Sequence, residues 1–185
     1  MGRVGYPPRI ARPGTYLHVR TRATGRERLF DDDQDYAGIE RILERVVWRY
    51  ALRCIAYCLM PNHVHLVIVP TTDNLPAAMR DLISSYVRRY NERWGRRGTL
   101  VERRYRVTEA RDTQHVFRML RYIALNPVEA DLADRPEDWP YSSYGATVGV
   151  CDPPAWLDVA AVLKLFDRRI WAARADYRAF VETRL

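Results

Sequence analysis

Residues 53–69, RCIAYCLMPNHVHLVIV, contain the local signals that decide the fold. Residues 53–60 and 63–69 are two runs rich in apolar, β-branched and aromatic side chains, and each run predicts a strand. Pro61-Asn62 between them is a typical turn pair. The stretch therefore predicts two strands joined by a tight turn.

The segments on either side add a strand and two helices. Residues 15–22 alternate between apolar and polar side chains, which predicts a strand. Apolar residues recur at helical spacing over residues 39–50, behind an acidic cluster at residues 31–35 that suits the positive end of a helix dipole. A second apolar stripe over residues 79–94 predicts another helix.

Two further elements complete the predicted fold. Residues 99–107 are expected to form a fourth strand, and residues 112–126 a third helix that begins at the N-cap Asp112 and stops at Pro127. The resulting order is strand, helix, strand, strand, helix, strand, helix. It predicts an α+β fold, a ferredoxin-like antiparallel sheet with helices packed on one face.

The 185 residues predict one main domain with two appendages. Residues 1–14 contain three prolines and three glycines and are expected to form an extended N-terminal arm. Residues 15–150 are the predicted domain. Residues 151–185 are predicted to form a short C-terminal helical extension.

The composition excludes several classes of protein. Hydrophobic residues make up 48% and charged residues 29% of the chain, which is typical of a folded globular protein. No apolar run approaches the roughly 18 residues that a membrane span needs. Three cysteines are too few for a disulfide framework. We therefore expect a cytoplasmic protein without a membrane partner.

The positive charge of the chain is concentrated in two blocks. The net charge is +7, with seven arginines against one glutamate in residues 1–30 and eleven arginines against four acidic residues in residues 88–121. Arginine forks match phosphate oxygens and stack on bases, so the blocks indicate a polyanionic partner. Charge alone leaves an ordinary solvated surface equally open.

His63-Val64-His65 is the sharpest local motif. Residues two apart on a strand point to the same face, with Cα atoms about 7 Å apart, so both imidazoles could converge on one metal ion. Two ordinary surface histidines explain the triplet equally well. Cys54 and Cys58 suggest a zinc site, but about 13 Å would separate them on a strand, which favours two small buried side chains instead.

The third helix carries a second constellation. Arg118, Tyr122 and Asn126 follow one another at intervals of four residues and share one helix face. The Asn126 oxygen could be a third metal ligand, Tyr122 a nucleophile and Arg118 a phosphate contact. The alternative is an amphipathic edge that ends in an Asn-Pro pair. His18 and His115 have no ligand spacing and are interpreted as structural.

Two motifs in this chain resemble a known family. Residues 57–66, YCLMPNHVHL, resemble the signature of the HUH (His-hydrophobic-His) tyrosine transposases, and residues 121–128, RYIALNPV, resemble their tyrosine helix. The branch that the chain resembles most is that of the REP-associated tyrosine transposases, which act on repetitive extragenic palindromes. The resemblance extends from about Pro13 to Gly149.

The resemblance implies a set of roles. His63, His65 and Asn126 correspond to ligands of a divalent metal, Mg²⁺ or Mn²⁺, and Tyr122 corresponds to the catalytic tyrosine. The activity implied is an endonuclease and strand transferase that nicks and rejoins single-stranded hairpin DNA through a 5′-phosphotyrosine intermediate. Such a protein would be associated with the nucleoid. The arginines expected to bind DNA are Arg103, Arg104, Arg106, Arg118 and Arg121.

Two other functions are left open by the residues alone. A domesticated relative would bind structured DNA or RNA without cutting it. A metal-dependent phosphoesterase would use His63 and His65 to activate water and would form no covalent adduct. The sequence also leaves open a homodimer, in which Tyr122 acts on its own subunit or on the partner.

Overall fold

The structure is a computed structural model that describes residues 12–25, 27–102 and 105–183. The strands are β1 (Leu17–Arg22), β2 (Leu52–Met60), β3 (His63–Pro70) and β4 (Arg106–Glu109). The helices are α1 (Asp33–Arg49), α2 (Leu75–Trp94), α3 (Thr113–Glu129), α4 (Tyr144–Val148), α5 (Val159–Leu163) and α6 (Ile170–Glu182). A 3-10 turn, Pro136–Asp138, precedes α4.

The four strands form one antiparallel sheet in the order β2-β3-β1-β4. The predicted hairpin of β2 and β3 closes at Pro61-Asn62, so Met60 lies opposite His63. β1 pairs with the other edge of β3 and brings Arg20 opposite His65. The predicted α+β fold with an antiparallel sheet is confirmed.

The first face of the sheet is covered by α1 and α2. Buried side chains from β1 and β3, such as Val19 and Leu66, pack there against helix residues such as Leu43 and Leu82. Helix α1 begins where the Asp32 carboxylate accepts hydrogen bonds from two backbone N–H groups of the first turn, which stabilises an N-terminus.

The second face is also covered, so the expectation of helices on one face was wrong. Helix α3 packs its buried residues, among them Met119 and Ile123, on Cys58 and Val67 of β2 and β3. The physical reason lies in these two strands, which carry apolar residues on both faces. A strand that is apolar on both faces needs cover on both.

The C-terminal residues join this second core. Asp158 caps α5, and Val162, Tyr177 and Val181 from α5 and α6 lie with the α3 side chains in one cluster. The division of the chain at residue 150 stays a prediction. No helix in the described ranges is both long enough and apolar enough to cross a bilayer.

Two predicted element ends were wrong. Helix α3 continues through Pro127 to Glu129. A proline this near the C-terminus costs the helix only one backbone hydrogen bond, and the Pro127 carbonyl accepts a hydrogen bond from Leu132 N–H. The fourth strand is Arg106–Glu109 rather than 99–107, and Val101 forms only an isolated bridge to Ala23.

Candidate active site

The predicted histidine pair lies on the second face of the sheet, beside α3. The imidazole centroids of His63 and His65 are 4.7 Å apart and their planes are 88° apart. His65 is fully buried and His63 is half-buried. Val64 points into the first core, as strand alternation requires.

The C-terminal part of α3 supplies the predicted third ligand. Asn126 is buried, and its Oδ1 lies 3.2 Å from His63 Nε2. His63 Nδ1 lies 2.6 Å from the Asn62 Oδ1 acceptor, so a neutral His63 donates there and keeps a lone pair on Nε2. Two acceptor atoms, His63 Nε2 and Asn126 Oδ1, then face each other.

The predicted nucleophile lies one helical turn before Asn126. The Tyr122 ring is 5.3 Å from the His65 ring and perpendicular to it. Its exposed fraction is 40%, so the phenol faces a cleft that solvent reaches. The structure therefore brings together all four side chains that the sequence singled out for chemistry: His63, His65, Tyr122 and Asn126.

These groups fit a divalent cation. His65 Nε2 is buried and has no hydrogen-bond partner among the described residues, and the two facing acceptors on His63 and Asn126 would both be satisfied by a positive ion. Burial lowers the pKa of His65 to about 2, so the ring stays neutral as a metal ligand must. The described residues contain no cluster of three His, Cys, Asp or Glu side chains suited to a metal, so a cation here would also need the amide oxygen.

A third histidine, which sequence reasoning missed, completes the wall of the site. His18 Nε2 on β1 lies 2.8 Å from His65 Nδ1, and the His18 ring is 5.9 Å from the Tyr122 ring. Burial lowers the pKa of His18 to about 4, with a smaller contribution from Arg20. Alternation along β1 could have indicated that His18 and Arg20 share a face. It could not have indicated that His65 lies on the same face.

Sequence reasoning also missed two arginines. Arg20 and Arg22 on β1 line the cleft together with Tyr122 and Asn126. They lie opposite His65 and His63 in the strand register, and neither takes part in an ion pair within the described ranges. Glu129 lies at the rim of the same cleft. The cleft therefore offers two guanidinium groups to an anion.

Comparison with known proteins places the chain in a family. Residues 12–126 match the family model described as "Transposase IS200 like". The chain belongs to the IS200-like transposase family. The matched range begins before β1 and ends at Asn126, so it contains every group of the cleft except those at the end of α3.

One curated relative comes from Haemophilus influenzae, and its assignment as a REP-associated tyrosine transposase is provisional. It is 27% identical over 106 residues, which cover 51% of this transposase chain and 60% of the relative. The chain thus spans about three fifths of that relative's length.

Two solved structures share the fold. One is a REP-associated tyrosine transposase bound to a REP hairpin, with a TM-score of 0.66 and 18% identity over 84% of this chain and 92% of that one. The other is a tRNA(His) guanylyltransferase from Saccharomyces cerevisiae, with a TM-score of 0.51 and 12% identity over 95% and 80%. At such identities the likeness concerns the fold alone. The resemblance to tyrosine transposases drawn from the two motifs is confirmed by the family match and by the curated relative.

The arginines predicted to bind DNA are distributed unevenly around the cleft of the transposase. Arg106 lies on β4 directly opposite Arg20 and is exposed, and Arg118 is exposed on α3 one turn before Tyr122. Arg121 instead donates a hydrogen bond to the Thr183 carbonyl and lies over the Phe180 ring, so it contacts the end of α6.

Two of the predicted DNA contacts, Arg103 and Arg104, lie outside the described residues. The zinc alternative is unsupported, because Cys54 and Cys58 are buried in different cores on opposite faces of the sheet. Both are the small buried side chains that strand spacing favours.

Proposed function

We propose that this transposase nicks and rejoins single-stranded hairpin DNA with Tyr122 as the nucleophile. The observation that carries the proposal is the meeting of Tyr122, His63 and Asn126 at one cleft of a single chain, with the buried His65 ring against the rings of His63 and Tyr122. Family membership supports the transposase class, and the relative bound to a REP hairpin supports the choice of DNA substrate.

His63, His65 and Asn126 would hold the divalent cation, Mg²⁺ or Mn²⁺. When bound, the cation would supply charge neutralisation at the scissile phosphate. Imidazole ligands suit Mn²⁺ better than Mg²⁺, and the amide oxygen suits both. The burial of His65 keeps one ligand nitrogen away from competing protons and water.

Tyr122 provides covalent catalysis. Its phenolic oxygen attacks phosphorus, the bond from phosphorus to the 3′ oxygen breaks, and the 5′ phosphate stays on the tyrosine as an ester. The phenol releases its proton, and the departing 3′ oxygen takes one up. Because the phosphodiester energy is kept in the ester, a 3′-OH can reverse the step and join strands without another energy source.

Arg20 and Arg22 bind and orient the phosphate in this scheme. Their guanidinium groups line the cleft beside Tyr122 without carboxylate partners in the described residues. A guanidinium pairs with two phosphate oxygens at once, which holds phosphorus in line with an incoming oxygen. Arginine also stabilises a phenolate, although it is a poor base.

We further propose that the chain acts in cis. The Tyr122 ring lies 5.3 Å from the His65 ring of the same chain, so the site needs no residue from a second copy. Mixing Tyr122→Phe protein with His65→Ala protein should therefore yield no cleavage. Restored cleavage in the mixture would mean that the tyrosine acts on a partner subunit.

The decisive experiment uses a 5′- and 3′-labelled single-stranded hairpin library with Mn²⁺, analysed on denaturing gels. Wild-type protein should form a covalent adduct that peptide mapping assigns to Tyr122, and Tyr122→Phe should bind the hairpin but cut nothing. Tyr50→Phe is the matched control, because it removes a phenol that bonds Asp81 far from the cleft. An adduct on another tyrosine would falsify the assignment, and multiple turnover without an adduct would favour the phosphoesterase.

A further inference from the structure

His18 is the neighbour of the proposed ligand set that has no role so far. It lies on β1 beside β3, and its ring stacks on that of His65 with centroids 5.0 Å apart and planes 29° apart. The Nε2 atom of His18 is 2.8 Å from Nδ1 of His65, which is hydrogen-bonding distance. One proton must therefore lie between the two rings.

That proton has two arrangements with different consequences for His65. If His65 Nδ1 carries the proton and donates it to His18, His65 Nε2 keeps a lone pair. If His18 Nε2 carries the proton, a neutral His65 has its own proton on Nε2, where no hydrogen-bond partner lies within the described residues. A buried donor without an acceptor bears its full desolvation cost, whereas a lone pair at that place can bind a cation.

We propose that His18 is a positioning residue: its Nε2 accepts the Nδ1 proton of His65 and keeps the His65 Nε2 lone pair directed at the cation. The inference rests on the proposed ligand set. Metal-ligating histidines generally donate their second N–H to an acceptor, which fixes both the tautomer and the ring orientation. Here the acceptor is another histidine, on the adjacent strand.

The same contact places His18 against the nucleophile. The His18 and Tyr122 rings meet edge to face with centroids 5.9 Å apart, and the His65 and Tyr122 rings do so at 5.3 Å. His18 thus forms one wall of an aromatic group that holds the ligand ring and the phenol in register. A test must therefore distinguish the hydrogen bond between His18 and His65 from the packing of their rings.

Two substitutions make that separation. His18→Gln retains a side-chain oxygen that can accept the Nδ1 proton, whereas His18→Leu fills similar space without an acceptor. The first readout is the nitrogen-15 spectrum of the histidine rings in metal-free protein, which distinguishes the two neutral tautomers. Wild type and His18→Gln should have His65 protonated at Nδ1, and His18→Leu should shift His65 toward the Nε2-protonated form.

The second readout is Mn²⁺ affinity, measured by calorimetry or electron paramagnetic resonance without DNA. His18→Leu should weaken binding by roughly 10–100-fold, the usual cost of losing an outer-shell partner, and His18→Gln should recover most of the loss. Tyr50→Phe is the control, because it loses only a hydrogen bond to Asp81 and should leave Mn²⁺ binding unchanged.

The proposal is overturned if His65 of the wild type is protonated at Nε2, or if His18→Leu changes neither the tautomer nor the Mn²⁺ affinity. Equal losses in His18→Gln and His18→Leu would also overturn it, since packing alone would then explain them. Both readouts are independent of strand cleavage. A failure of the proposed function, such as Mn²⁺ binding without any adduct, is therefore distinguishable from a failure of this inference.

Discussion

Two sets of arginines on opposite sides of the sheet have different surroundings. On the side of α1 and α2, two arginines are paired with carboxylates: Arg45 Nη1 lies 3.0 Å from Asp81 Oδ2, and Arg93 Nη1 lies 2.6 Å from Asp35 Oδ1. Asp35 is almost fully buried, so its charge needs that partner. These arginines tie α1 to α2.

On the other side, α3 packs mainly on β2 and β3, and the arginines of β1 and β4 stay accessible to solvent. Arg20 lies directly opposite Arg106 in the register, and neither has an ion-pair partner among the described residues. Like charges directly opposite each other destabilise a sheet. A bound polyanion would remove that repulsion, so under the proposed function arginine serves structure on one face and ligand binding on the other.

The largest effects, on cleavage and on stability, should come from substitutions at two adjacent residues, His65 and Leu66, whose side chains point to opposite faces. His65→Ala should abolish cleavage to background while hairpin binding survives, because it removes a ligand but none of the arginines. Leu66→Ala should leave the site chemistry intact but lower the free energy of unfolding by about 2–5 kcal/mol, as for other buried leucines.

Cleavage assays and denaturant unfolding of both variants check this pair of expectations. Chelator added to wild-type protein should act like His65→Ala. Full cleavage in chelator, or by His65→Ala protein, would contradict a catalytic metal site on the second face. A loss of cleavage in folded Leu66→Ala protein would mean that the two faces are not independent.

A smaller effect, on DNA binding, should distinguish the arginines of the cleft from those paired with Asp81. Arg20→Gln with Arg22→Gln should weaken binding of single-stranded DNA and make the slope of log affinity against log salt shallower by about 1.4, since each lost phosphate contact contributes about 0.7. Arg45→Gln with Arg49→Gln removes the same charge from the other face, where both pair with Asp81.

Titration of hairpin binding at several salt concentrations measures both slopes. The control pair should keep the wild-type slope and lose only stability. Equal changes of slope in the two double variants would show that net charge, rather than the cleft, governs binding.

The smallest effect concerns acid stability of the metal-free protein. Burial lowers the pKa of His18 to about 4 and that of His65 to about 2, so the unfolded chain binds protons below about pH 6.5 that the folded chain does not. The free energy of unfolding should therefore fall as the pH drops from 6.5 toward 4.

The paired carboxylates of the first face act in a lower pH window. The hydrogen bond from Arg45 holds the pKa of Asp81 below its usual range, so the stability it contributes is present at neutral pH and is lost below about pH 3.8. Denaturant unfolding at closely spaced pH values in chelator should show both phases. His18→Leu should reduce the upper phase alone, and a single phase near pH 4 would contradict buried neutral histidines.

Local periodicity was enough to place the candidate side chains on shared faces of their own elements, and the family resemblance implied their roles. Strand alternation puts His63 and His65 on one face whatever the strand pairs with, and helix spacing puts Tyr122 and Asn126 on neighbouring turns. Both patterns depend only on residues close together in the chain. The elements of the β2–β3 hairpin followed from the same short-range signals.

Only the tertiary structure decided which other residues belong to the site. His18, Arg20 and Arg22 join it because β1 pairs with β3 in one particular register, and a shift by one residue would turn all three to the opposite face. No local signal specifies that pairing, since the partner strand lies more than 40 residues away in the chain. Tertiary packing also decided that α3 covers the second face and that it continues through Pro127. Packing against β2 and β3 outweighs the local tendency of a proline to end a helix.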